Sequence, residues 1–404
     1  MAAYLDHAAT TPLRPEALEQ MLPFLGGTFG NPSSPHREGR AARAALDRAH
    51  EQVAAALGAT PREIVVTSGG TEALNLGLKG AAWAGKARGH RILTSAVEHH
   101  AVLHPLRHLE KFGFEVVELP VDRYGRVDPD HVEAALTDRT ILVAIQHANN
   151  EVGTVQPIAE IAAVVHAKGP KGCVFAVDAV ASAGHLAIDV GELGVDLLAI
   201  AAHKFDGPKG AGALYVRRGL HLLAQQQGGT QERYRRAGTE DVAAAVGMGV
   251  ALQLAVAERE TAGKRTRKLR DRLKGAVLAV DGVELTGHPR DRLPSILSVV
   301  AGDADGSAVV IKLDLAGISA SVGSACTTGS TDPSHVLTAM GYPDDEARGA
   351  LRFSVGRTTT EAEIEEAVEA IPRVLGEIRA GAAALAAEPS APTPGLGVMS
   401  GAGR

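Results

Sequence analysis

Cysteine is nearly absent. The 404 residues contain 2 cysteines, Cys173 and Cys326. Two thiols make at most one bridge, so a disulfide framework is excluded and a reducing, cytoplasmic setting is expected. No unbroken apolar run approaches the roughly 18 residues that span a bilayer. The opening MAAYLDHAATTP lacks the basic region and apolar core of an export signal. Neither sign of charge prevails. Lys and Arg number 41 against 47 Asp and Glu, interspersed along the chain, which argues against nucleic acid as the main partner. Repeats of 20 to 50 residues are missing, and so are a GxGxxG fingerprint and a Walker loop.

What is present is alternation. The segment EGRAARAALDRAHEQVAAALGA reads as an amphipathic helix and leads into the short strand EIVVTSG. Helix TEALNLGLKGAAWA precedes strand HRILTSA, and the helix around AVLHPLRHLEKFG precedes FEVVELPV. The strands TILVAIQHA, CVFAVDAV, VDLLAIAA and GALYVRRG follow with helical patterns among them. Short strands separated by helices require crossovers, so the expected fold is α/β, with a mainly parallel sheet covered on both faces. From about residue 250 a long Lys/Arg/Glu-rich helix runs into a shorter α+β pattern. The expected division is an arm at 1–14, a large domain at 15–250, a smaller C-terminal domain at 251–385, and a disordered Pro/Gly/Ala/Ser-rich tail at 386–404.

In an open parallel sheet, ligands bind beyond the carboxyl ends of the strands. After EIVVT comes SGGTEALN, a Gly-rich turn opening a helix. Free N–H groups and the helix dipole favour an anion there, with the Thr71 hydroxyl as an additional donor. Asp178 follows CVFAV, His203 and Lys204 follow VDLLAIAA, and His99 follows HRILTSAVE. Singly these are ordinary strand-end charges. Together they supply the needs of pyridoxal 5'-phosphate: an amine for its aldehyde, a carboxylate for its ring nitrogen, a phosphate cradle and a ring to stack on it.

Nine segments carry a closer likeness: YLDHAATTP, TSGGTEALN, EHHAVL, HANNEVGTVQPI, VDAVAS, AAHKFDGPKGAGALYVRR, GGTQERYRRAGT, GSACTTGS and LRFSVGR. In order and spacing they resemble the cysteine desulfurases, pyridoxal-phosphate enzymes of fold type I within the class V aminotransferase family. The likeness spans roughly residues 4 to 380, and the segment around Cys326 is similar to the long-loop, NifS- and IscS-like group. It implies a large domain with a seven-stranded-type sheet and a smaller C-terminal domain. By the same resemblance Lys204 is the lysine that holds the cofactor, and Asp178 is the partner of its ring nitrogen. His99 stacks on the ring and moves protons, while Gly70, Thr71 and His203 bind the phosphate. Asn150 lies beside the ring, and Arg352 grips the substrate carboxylate, for which a planar fork suits. Thr239 reaches the neighbouring subunit's phosphate, which implies a homodimer. Cys326 takes sulfur from L-cysteine as a persulfide, leaving L-alanine, and passes it to a sulfur-acceptor protein in iron–sulfur cluster assembly, tRNA thiolation or another sulfuration. A Gly/Ser/Thr-rich segment suits a carrier that must travel. No direct nucleic-acid or membrane partner is implied.

Two positions depart from the pattern. Long-loop members usually carry Gln where Ala181 stands and Ser where Ala201 stands, each a ligand to the cofactor. Cys173, in KGCVFAVDAV, reads as a core residue. Three other readings stay open. His100, His104 and His108, four apart, have the spacing of helical metal ligands, although Pro105 interrupts them and no HExxH glutamate accompanies them. The chain is alternatively a pyridoxal-phosphate lyase or aminotransferase without persulfide chemistry, or a sulfur-transfer partner weakened in catalysis. Selenocysteine is an alternative substrate of the same shape.

Overall fold

The computed structural model describes residues 3–323 and 333–387, the side chains of 382–387 aside. Cys326 and the tail beyond 387 lie outside the described residues. Strands are numbered in chain order: β1 (Ala3–Tyr4), β2 (Ile64–Thr67), β3 (Arg91–Ser95), β4 (Glu115–Leu119), β5 (Thr140–Gln146), β6 (Val174–Asp178), β7 (Leu197–Ala201), β8 (Gly212–Val216), β9 (Val283–Leu285), β10 (Ile296–Ala301), β11 (Ile318–Ser319) and β12 (Ala350–Ser354).

Seven of them form one sheet in the order β2-β8-β7-β6-β5-β3-β4. β8 runs antiparallel to both neighbours and the other pairings are parallel, so the expected mainly parallel α/β architecture is present. Side chains alternate across the sheet as the pleat requires. Ile64, Val66, Leu93, Val143, Phe175 and Leu198 face one core, which the helices Arg37–Leu57 and Ile158–Lys168 cover. Val65, Ile92, Leu142, Val174 and Leu197 face the other, under the helices Gly70–Gly85 and His100–Glu110. Near-continuous apolar strands are what burial on both faces demands.

A third core lies around the antiparallel sheet β12-β10-β9. Ala3 and Leu5 of the N-terminal arm are buried in it, and β1 pairs in parallel with β11. The helix Val242–Val277 connects the cores. Ala251 and Leu252 pack in the first, and Leu269, Leu273 and Val277 in the third. It begins well before the expected start near 250, because Asp241 caps it by accepting the Ala244 N–H at 2.9 Å. By length and composition this helix is apolar enough to cross a membrane, over a window 56% buried. Counting only unbroken apolar runs overlooked it, and it serves here as a core helix.

The turn after β2 is built from glycine. Gly69 has φ +147° and ψ 178°, a conformation that side chains rarely adopt. A Cβ at Gly212, where β8 begins, would lie 2.6 Å from the Gly69 carbonyl carbon. A Cβ at Gly70 would lie 2.6 Å from Val180 Cγ2, after β6. This close approach brings the N-terminus of helix Gly70–Gly85 to the ends of β6 and β7. Gly70→Ala should therefore force Val180 aside and destabilise the fold by about 1–3 kcal/mol. Urea unfolding checks this, and an unchanged midpoint would show that the turn tolerates a Cβ.

Candidate active site

β2, β3, β5, β6 and β7 end on the same edge of the sheet, and the segments that follow them surround a cavity of about 230 Å³. Its wall includes Gly70, Thr71, His99, Asn150, Asp178, Ala181, Ala201, His203 and Lys204. A second cavity of about 210 Å³ shares His99, Asn150 and Lys204 with the first and adds Arg352. The structure thus gathers most of the expected residues. Thr239 is exposed and lies outside these cavity walls within its own chain. Cys326 falls on residues that are not described.

Lys204 follows β7 in a short 3-10 turn, Ala202–Lys204. Its Nζ donates to the carbonyls of Ala8 at 2.5 Å and Ala9 at 3.0 Å. His185 Nε2 bonds the Lys204 carbonyl at 3.1 Å, and because a carbonyl only accepts, that nitrogen carries the proton. Asp178 ends β6, and its Oδ1 accepts the Val180 N–H at 2.9 Å. Burial pushes its carboxyl up to about 6, against the pull of that hydrogen bond and the Lys204 charge. It is therefore largely ionised at neutral pH.

His99 caps helix His100–Glu110, its Nδ1 accepting the Ala101 N–H at 3.0 Å. That bond leaves the proton of the neutral ring on Nε2. Burial first, then the Lys204 charge, holds His99 down at about 4. His203, with Nδ1 3.2 Å from Thr10 Oγ1, is held at about 4 for the same two reasons. Both imidazoles are neutral at pH 7.

Arg352 is 1% exposed. Its Nη1 donates to the carbonyls of Asn150 at 2.9 Å and Gly323 at 3.1 Å, and its Nη2 pairs with Asp6 at 2.9 Å. The guanidinium is thus anchored at both of its Nη atoms by groups of the chain itself.

Ala181 and Ala201 both lie in the wall of the first cavity, so the missing Gln and Ser leave methyl groups facing it. His100, His104 and His108 do not converge. His100 and His104 stack face to face, centroids 4.7 Å apart at 6°, while His108 lies edge-on to Phe112 at 5.3 Å. Among the described residues no group of three or more His, Cys, Asp or Glu is arranged to hold a metal. Cys173 is half-buried and packs against the first core, and burial pushes its thiol up to about 12, leaving it unreactive at neutral pH.

Some lining residues were not singled out in the sequence: Gln146, Glu98, Glu151 and His335. Gln146 ends β5, and Glu98 and Glu151 come shortly after β3 and β5, the signal that found their neighbours, whereas His335 is brought in by tertiary packing. Glu98 is 0% exposed. Its Oε1 accepts Ser95 Oγ at 2.6 Å and the Gln146 N–H at 2.9 Å, and among the described residues its Oε2 has no hydrogen-bond partner.

The donor set fits a phosphate-bearing pyridine aldehyde. A helix N-terminus opened by two glycines, with Thr71 and His203 beside it, faces the same space as an ionised carboxylate and a lysine. The profile of the family "Aminotransferase class-V" matches residues 3–367. The chain belongs to the class-V aminotransferase family. It is 46% identical over 377 residues to "Cysteine desulfurase IscS" of Dictyoglomus turgidum, covering 93% of this chain and 95% of the relative. It is also 46% identical to "Cysteine desulfurase IscS" of Methanosarcina thermophila, covering 94% and 93%. Among solved structures, a "NifS-like protein" superposes with a TM-score of 0.88 at 36% identity, covering 93% of this chain and all of the other.

The buried carboxyl of Glu98 gives a prediction. Burial raises it to about 8, above its ordinary 4.5. A raised folded-state value stabilises the fold below the unfolded value, and that stability is lost as pH rises through the folded one. Glu98→Gln, which stays neutral, should gain stability relative to the parent as pH rises from about 4.5 to about 8. Urea unfolding at several pH values checks this, and a pH-independent difference would contradict it.

Proposed function

We propose that this class-V protein is a cysteine desulfurase that uses pyridoxal 5'-phosphate. It converts L-cysteine to L-alanine and passes the sulfur, as a persulfide on Cys326, to an acceptor protein. The observation that carries the reading is the meeting of Lys204, Asp178, His99 and the Gly70–Thr71 helix start around one cavity. Relatives that match nearly the whole chain and bear the name cysteine desulfurase support it.

Bound there, the cofactor supplies an electron sink for the substrate's carbons. The chain's own residues do the rest. The Gly70–Thr71 turn and His203 would hold the phosphate, and ionised Asp178 would keep the pyridine nitrogen protonated. Lys204 would hold the aldehyde, and its Nζ would be the base that takes the substrate's α-proton. His99, neutral with its proton on Nε2, would stack on the ring. Arg352 orients the substrate carboxylate. Asp6 holds that guanidinium in place, so the fork is set before substrate arrives.

A homodimer is part of the proposal, with Thr239 completing the neighbouring site. Thr239 is exposed, and Arg236 close by pairs with Glu72 of the phosphate turn at 2.8 Å. Leu18, Leu22 and Leu25 of helix Pro15–Leu25, with Phe29 beyond it, expose apolar surface suited to a second copy.

The test is anaerobic incubation with L-cysteine and a thiol reductant, measuring alanine and sulfide together. Wild type should yield both, and Cys326→Ser or Lys204→Ala should lower both by about 10³-fold or more. Alanine formation undiminished in Cys326→Ser would instead establish chemistry without a persulfide. The methyl groups of Ala181 and Ala201 give a second prediction. Each lost hydrogen bond is worth about 1.5–3 kcal/mol when one partner is charged. The Ala181→Gln, Ala201→Ser double variant should retain cofactor through dialysis at least about tenfold longer than wild type. Equal retention would contradict this.

A further inference from the structure

Three consecutive residues, Glu232, Arg233 and Tyr234, hold φ angles of +45°, +59° and +64°. None is glycine, and L-residues avoid this left-handed region, so such a run persists only where its surroundings over-determine it. The restraint is a buried pair. His50, on the helix Arg37–Leu57, is 4% exposed, and Glu232 is 5% exposed. Glu232 Oε2 lies 3.0 Å from His50 Nε2 and accepts the Val66 N–H of β2 at 3.2 Å. Arg233 Nη2 donates to the Ile64 carbonyl of the same strand. The strained run is thereby pinned to the edge strand of the large sheet.

The His50 ring meets an acceptor at both nitrogens. Its Nδ1 is 2.8 Å from the Leu46 carbonyl, which only accepts, so Nδ1 carries a proton. A second proton, on Nε2, makes the contact with Glu232 a charge-assisted bond. Without it, Nε2 and an ionised carboxylate turn lone pairs toward each other. Burial alone would lower this imidazole, but the Glu232 hydrogen bond and charge, with the Leu46 carbonyl, hold it above its ordinary 6.5 against the Arg233 charge. Farther out, Arg43 and Asp47 of the His50 helix and Arg62 ahead of β2 act on Arg233, and Glu63 acts on Arg235. The long helix Val242–Val277 packs against the His50 helix with apolar side chains, Val242 and Val246 against Ala42 and Ala45.

The pair connects to the turn after β2 through bonds of the chain itself. Two residues past the strained run, Arg236 Nε donates to Glu72 Oε1 at 2.8 Å. Glu72 Oε2 accepts the Ser68 N–H at 2.7 Å and the Ser68 hydroxyl as well. Ser68 opens the turn that leads through Gly69 to Gly70 and Thr71. Neither His50 nor Glu232 lines the two cavities described above, so any effect they have on the site is one of position.

We propose that His50 and Glu232 form a proton-dependent clamp that positions the Ser68–Thr71 turn, through Arg236 and Glu72, for the phosphate it receives. Its bearing on the cofactor rests on the reading above, whereas the clamp itself stands on contacts within the chain. With His50 protonated, the clamp is shut. Loss of the proton leaves a buried carboxylate without its cation, the left-handed run relaxes, and Arg236 releases Glu72. The sign follows from linkage: an imidazole raised by folding stabilises the closed form fully below about 6.5, and that stability is lost as pH rises through the folded-state value.

The experiment follows amide hydrogen exchange of residues 231–238 by mass spectrometry in the full-length chain, with and without pyridoxal 5'-phosphate, from about pH 6 to 10. His50→Gln and Glu232→Gln are compared with wild type at each pH, so the intrinsic pH dependence of exchange cancels. The first keeps a donor toward Glu232 but takes up no proton, the second keeps an acceptor without charge, and each decides the matter should the other fail to fold. At pH 6 the segment should exchange about tenfold faster in either variant than in wild type. That ratio should fall toward one as pH rises. Dissociation of pyridoxal 5'-phosphate, followed by its absorbance, should be faster in the variants at pH 6 by a similar factor that fades over the same range. Variants that exchange like wild type at pH 6, or a ratio that stays constant with pH, would overturn the clamp. Exchange that responds while cofactor dissociation does not would overturn its link to the phosphate turn. A chain that takes up no pyridoxal 5'-phosphate would instead overturn the cofactor reading, and the exchange measured without it would still decide the clamp.

Discussion

The site depends on where the Lys204 ammonium is held. Its chain rises from the end of β7, in the sheet of the first two cores, and its Nζ is held by the carbonyls of Ala8 and Ala9. Those carbonyls belong to an arm whose earlier residues, Ala3 and Leu5, are buried in the third core. One amine thus registers the two halves of the molecule against each other. Its charge then sets the ionisation around it, helping to keep His99 and His203 neutral and opposing the burial that raises Asp178. A cationic amine, an ionised carboxylate and two neutral imidazoles around one cavity form a polarised site before any ligand arrives.

Most of this was legible in the sequence for one physical reason. In a parallel sheet every strand delivers its next residues to the same edge, so Gly70, His99, Asp178 and Lys204 are recognised by following apolar strands. The glycines of SGGTEALN were legible too, because Gly69 takes a positive φ that side chains rarely adopt and the Val180 side chain leaves no room for a Cβ at Gly70. What escaped the sequence are partners joined only by tertiary packing. The Lys204 bonds span 196 and 195 residues, Arg352–Asp6 spans 346, and the His335 bond to the Glu98 carbonyl spans 237. The protonated state of Glu98 was hidden for the same reason, since it follows from burial rather than from residue type. The helix Val242–Val277 begins earlier than its apolar pattern suggests because the capping Asp241 was passed over.

The two departures take on meaning in this setting. Ala181 and Ala201 join Val180, Ala148 and Leu74 among the apolar residues that line the first cavity. On the proposed reading, a cofactor bound there would rely more heavily on the Gly70–Thr71 turn, on Asp178 and on Lys204. The Glu98 turn works at several levels at once. Its side chain ties β3 to the end of β5, its carbonyl holds His335, and the next residue is His99, the N-cap of helix His100–Glu110. The walls of the two cavities therefore share one structural support.

The most direct measurement is covalent trapping at Lys204. The purified chain, reconstituted with pyridoxal 5'-phosphate, is reduced with borohydride, digested and mapped by mass spectrometry. The account predicts a stable phosphopyridoxyl adduct on Lys204 at close to one per chain. Recovery of the adduct on Lys209 or another lysine, or no adduct at all, would contradict it.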